Sequence, residues 1–132
     1  MTIKYPELSE KDFLYKYLDI INILLPQEQQ LIPSEIELVI EFAILPEDKF
    51  YYQRFGALAK SKVIEAFKEK GKVFTKVSIN NKLYSLLDKK FLIRDEDSII
   101  YLPKHLLNTL STFRKEKKFN INLIFSNGII ED

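Results

Sequence analysis

The most constraining feature of the chain is the run from Ser78 to Leu102, SINNKLYSLLDKKFLIRDEDSIIYL. Ile79, Leu83, Leu86 and Leu87 recur at i, i+4, i+7 and i+8, which predicts a helix over 78–90 with a narrow apolar seam. That helix runs directly into Phe91-Leu92-Ile93-Arg94, then Asp95-Glu96-Asp97, then Ser98-Ile99-Ile100-Tyr101-Leu102. The order of apolar strand, polar turn and apolar strand is a β-hairpin signal. A helix with one thin stripe cannot bury itself, so the residues before it must supply the rest of a core.

Two further helices precede it at 34–45 and about 56–70. Ser34 has Glu37 three residues on, which reads as a capping box, and Ile36, Val39, Ile40, Ala43 and Ile44 form one stripe before Pro46. In the next segment Leu58, Val63, Ile64 and Phe67 face inward, Lys60, Lys62, Lys68 and Lys70 outward, and Gly71 supplies a left-handed stop. Thr75 or Ser78 caps the helix at 78–90. Outside this core, Ser9 and Asp12 open an amphipathic helix over 10–25, which Pro26 ends. Pro103 starts a helix to about 112, and 114–118 is a charged link. Phe119, Ile121, Leu123 and Phe125 alternate with Asn120, Asn122, Ile124 and Ser126, which predicts a strand with one apolar face. This strand either completes the hairpin's sheet or adds to the sheet of a neighbouring subunit. Asn127-Gly128 is a turn, and Ile129-Ile130 starts a returning strand.

The expected class is therefore α+β, mainly α. A helix-turn-helix core with a hairpin wing spans 33–102, with an N-terminal helical extension at 1–32 and a helix and strand at 103–132, all in one domain of 132 residues.

Composition removes most chemistries. There is no cysteine, one histidine (His105) and three glycines, so thiolate zinc sites, histidine pairs and glycine-rich phosphate loops cannot be assembled. Glu35, Glu37 and Glu41 share a helix and read as its solvent side. The acidic hairpin turn lacks calcium-loop spacing. The expectation is no enzyme activity, no metal and no cofactor. No run of eighteen apolar residues predicts a membrane span, and the N-terminus has no signal-peptide pattern.

Charge is uneven. Residues 1–46 hold 3 basic and 8 acidic side chains, and residues 47–94 hold 12 basic and 5 acidic. A basic middle suits a nucleic-acid face. It suits equally a head-to-tail protein contact in which one subunit's acidic start meets the next one's basic middle. On the first reading the helix at 78–90 enters a major groove, Asn80 and Asn81 meet adenine edges, and Lys76, Lys82, Lys89 and Arg94 meet phosphates. Asp88, Asp95, Glu96 and Asp97 oppose that reading, because carboxylates repel phosphates. On the protein-contact reading, the interaction residues are Asn80, Asn81, Lys82 and Tyr84, the aromatic connector Phe50, Tyr51 and Tyr52, and the strand residues Phe119, Ile121, Leu123 and Phe125. The aromatic connector also suits docking on a host protein.

The quoted stretch resembles the recognition helix and wing of winged-helix proteins, where a leucine-ended helix passes through a Lys-Lys-Phe turn into strand, charged tip and strand. With its added N-terminal helix and "FNINLIF" strand, the chain is similar to small structural proteins of tailed bacteriophages, in particular crAss-like phages. That resemblance implies a virion component made in the host cytoplasm. It would be a subunit of a head–tail connector or tail ring whose partners are its own copies and other virion proteins. The alternative is a winged-helix DNA-binding transcriptional regulator.

Overall fold

The structure is a computed structural model that describes residues 2–4, 9–46, 53–116, 118–120, 124–126 and 129–131. Its five described α-helices are α1 (Glu10–Leu24), α2 (Pro33–Ala43), α3 (Ala57–Glu69), α4 (Lys76–Asp88) and α5 (Lys104–Glu116). Three two-stranded antiparallel ladders join β1 (Thr2–Lys4) to β4 (Lys118–Asn120), β2 (Ile93–Arg94) to β3 (Ile100–Tyr101), and β5 (Ile124–Ser126) to β6 (Ile129–Glu131). The mainly helical α+β class expected from sequence is the class observed.

Helix α2 is the hub. It packs against α1, α3 and α4. Eight of its residues are buried, among them Ile36, Leu38, Val39, Ile40, Phe42 and Ala43. The expected stripe is present, but Leu38 and Phe42 fill its flank, so the helix is apolar nearly all round and has little solvent side. Its start also differs from expectation. Ile32 is the N-cap residue, and the Glu35 carboxylate accepts from the Ile32 N–H at 2.9 Å. Ser34 lies inside the first turn and caps nothing. At the other end Arg54, itself buried, donates to the carbonyls of Phe42 and Leu45 at 3.0 Å each, satisfying acceptors the helix end leaves open.

Both α3 and α4 end in the same six-residue device. After α3, Gly71 adopts φ +78°, and the N–H groups of Gly71 and Lys72 return to the carbonyls of Lys68 and Phe67. After α4, Lys90 adopts φ 62°, and the N–H groups of Lys90 and Phe91 return to Leu87 and Leu86. These are Schellman stops, and buried Phe91 sits at the position where an apolar residue closes the motif. The second stop aims the chain from α4 into the hairpin. Thr75 and Ser78 cap α4 reciprocally, at 3.1 and 2.9 Å, which starts it two residues before the expected position. Leu58, expected inside, is 53% exposed, and Ala59 takes its place in the core.

The C-terminal third departs most from expectation. Helix α5 continues through the charged stretch to Glu116, because Phe113 is buried and stacks on Phe13 with centroids 4.1 Å apart and planes 1° apart. Arg114 closes the same contact on Glu10. The described residues of the single strand expected over 119–125 belong to two separate ladders. Phe119 lies in β4, opposite Ile3 of the N-terminal strand, and Phe125 lies in β5, opposite Ile130. Neither joins the β2–β3 hairpin. The returning strand expected after Asn127-Gly128 is present as β6.

Candidate interaction face

The residues that sequence reasoning singled out on the leucine-seamed helix divide into two groups once α4 is seated on α2. Ile79, Leu83 and Leu86 point into the core, with Leu87 half-buried. The opposite side carries Val77, Asn81, Tyr84 and Asp88, all exposed; Val77 is 69% and Tyr84 58% exposed. Val73, three residues before the helix, is 89% exposed. Asn80 is half-buried beside this stripe.

Lys82 and Lys89, expected to face outward as phosphate contacts, instead turn toward α2. Lys82 Nζ donates to Ser34 Oγ at 2.8 Å. Lys89 Nζ meets Glu35 Oε1 at 2.5 Å, and Ser85 Oγ donates to Glu35 Oε2 at 2.8 Å. Glu35 is 1% exposed and Glu41 3% exposed, so the expectation that they form a solvent face is corrected. A helix enclosed on three sides can keep a carboxylate only if its neighbours supply cations and hydrogen bonds. Glu41 takes Lys70 at 2.5 Å and Lys11 at 2.9 Å, and Glu37 takes Lys72 at 2.5 Å. Burial alone would raise the Glu35 and Glu41 carboxyls. The hydrogen bonds from Lys89, Ile32 N–H and Ser85 in one case, and from Lys70 and Lys11 in the other, outweigh it and hold both below the usual carboxylate range. Much of the acid-against-base asymmetry read from sequence is thus discharged inside one chain.

Between the start of α2 and α4 lies an open groove of about 300 Å³, lined by Ile32, Glu35, Ser78, Asn81, Lys82 and Ser85. On the hairpin, Asp95, Glu96 and Asp97 are all exposed. The Asp95 carboxylate builds the turn, accepting from the N–H groups of Asp97 and Ile99 at 2.9 Å each. Among the described residues, no group of three or more histidine or carboxylate side chains is placed to hold a metal ion. His105 is buried against Tyr17, with Nδ1 2.6 Å from the hydroxyl, and forms part of the α1–α5 contact. Phe50, Tyr51, Tyr52, Ile121 and Leu123 lie outside the described residues. Sequence reasoning missed Val73 and Val77 as surface residues. Their signal was available, since Val77 stands one turn before Asn81 on the side opposite the leucine seam.

Comparison with protein-family models, with curated proteins and with solved structures returns no match. Among the described residues no helix is long and apolar enough to cross a membrane.

Proposed function

We propose that the chain is a non-enzymatic structural subunit that assembles through protein–protein contacts, with a winged-helix-type core at 33–102 as the scaffold and the outer face of α4 as a contact surface. One observation carries this reading. Two of the three α4 lysines that would meet a polyphosphate, Lys82 and Lys89, are turned back onto Ser34 and Glu35, while Val77, Asn81, Tyr84 and Asp88 face outward and Lys76 is exposed at the helix start. An exposed aromatic and valine with little net charge suit the apolar centre of a protein interface better than a nucleic-acid groove. The mutual packing of α2, α3 and α4, followed by the β2–β3 hairpin, supports the winged-helix reading. The resemblance noted in the sequence supports the further reading that the subunit belongs to a connector or tail ring of a tailed phage particle.

Sedimentation velocity of the purified chain tests the proposal. We expect a concentration-dependent mass above the 15.6 kDa monomer. Tyr84→Ala should weaken association by about 1–2 kcal/mol, roughly five- to thirtyfold. A chain that stays monomeric and binds duplex DNA with a steep salt dependence would instead be the regulator.

A further inference from the structure

Four of the acidic side chains in residues 1–46, Glu10, Glu35, Glu37 and Glu41, pair with cations of their own chain. A head-to-tail contact that uses the acidic start therefore loses much of its charge. Two other features of the fold are complementary and unused. Lys82 lines the groove between α2 and α4, and its hydrogen bond goes to a neutral hydroxyl, that of Ser34. Among the described residues no carboxylate lies within 4 Å of it, whereas Lys11, Lys70, Lys72 and Lys89 each have one. Beside it, Asn81 offers an exposed amide and Ile32, 51% exposed, an apolar wall.

The hairpin carries the matching charge. Asp95 spends its carboxylate on the turn, which fixes the tip. Glu96 and Asp97 are exposed and make no side-chain hydrogen bond or ion pair among the described residues. Ile93, on β2 of the same hairpin, is 60% exposed. No residue lining the groove comes from the hairpin, whose own packing cavity is instead lined by Phe55, Gly56 and Ala57 at the start of α3.

We infer that the groove receives the hairpin tip of a second copy of this chain, with Glu96 or Asp97 paired to Lys82 and hydrogen-bonded by Asn81. The inference rests on the assembly reading above and names its contact. Groove and tip are different surfaces, so the interface is heterologous and each copy has one of each to offer. Such a contact propagates head to tail and closes into a ring when the rotation per step allows. Enclosing an ammonium and a carboxylate in a groove fixes register as well as adding attraction.

The absence of native cysteine makes the test clean. Asn81→Cys and Glu96→Cys proteins are mixed and oxidised, and the doubly substituted chain is oxidised alone. We expect a cross-linked dimer in the mixture, well above the yield of either protein alone. From the double variant we expect a ladder of multiples, which, with little dimer from either single variant alone, marks a head-to-tail contact. In parallel, Lys82→Glu should weaken self-association about tenfold or more, as should Glu96→Lys with Asp97→Lys. Combining the three should restore it. Circular dichroism melts check folding, and the hairpin pair, exposed at the tip, leaves the core untouched. Self-association that survives every charge reversal and yields no ladder overturns this contact and leaves assembly through α4 standing. Weakening by the single reversals without rescue overturns the pairing. A wild-type chain that is monomeric at all concentrations overturns both.

Discussion

Lys90 and Gly71 occupy the same position in two copies of one helix stop, and only one of them is glycine. An L-residue with φ near +60° carries a steric cost that glycine avoids. Lys90→Gly should therefore stabilise the fold by about 0.5–1 kcal/mol, and Gly71→Ala should destabilise it by about 1 kcal/mol. Chemical denaturation reads both. Glu35 gives a larger effect. Replacing it with Ala strands Lys89, Ser85 and the Ile32 N–H, and should cost about 3 kcal/mol. Acid should act through the same groups. The Glu35 and Glu41 carboxyls titrate below their ordinary value of 4.5 when folded, so their contribution is complete above that value and drains away as pH falls through the lower folded values. The melting temperature should be flat near neutrality and fall below about pH 4.5. Glu35→Gln combined with Glu41→Gln should start lower and show a shallower acid decline.

Elements were legible where local chemistry decides them. Ser9, whose Oγ accepts from Asp12 N–H, Pro26, Gly71 and the Thr75–Ser78 cap mark boundaries that hold to within two residues. The seam of α4 and the turn of the hairpin are equally local. The end of α5 was not legible, because Arg114-Lys115-Glu116-Lys117-Lys118 has the composition of a linker, and only the distant Phe13 makes Phe113 a core residue. Phe113→Ala should cost about 3–5 kcal/mol and melt α5 together with the β1–β4 ladder that follows it. Hydrogen exchange would show protection lost over 104–120 before it is lost in α2. The β1–β4 pairing was also hidden, since three-residue strands are too short for alternation to register. Two carboxylates of α2 were misread for a related reason. Glu35 and Glu41 look like part of a solvent edge until Leu38 and Phe42 are counted as a second apolar flank, which leaves α2 open only along a narrow side near Glu37.

At the scale of the molecule, the chain keeps two classes of charge apart. The carboxylates of Glu35 and Glu41 are sheltered, whereas the Glu37–Lys72 pair, the tip, the α4 face and Lys82 are open to solvent or to a partner. Salt screens exposed charges far more than sheltered ones. Raising the ionic strength to about 0.5 M should weaken self-association by roughly tenfold while shifting the melting temperature little. Static light scattering and a thermal melt on the same samples would separate the two.

The antiparallel clasp of β1 with β4 has a mechanical consequence. Thr2 faces Asn120 and Lys4 faces Lys118, so the chain leaves the ladder in both directions at the same rung. Tension drawn through those two exits would peel the rungs one after another instead of shearing them together, and the clasp would open at low force, before Glu10–Arg114 and Phe13–Phe113 bear any load. A chain fastened in this way lengthens at its clasp under load while its helical body stays intact.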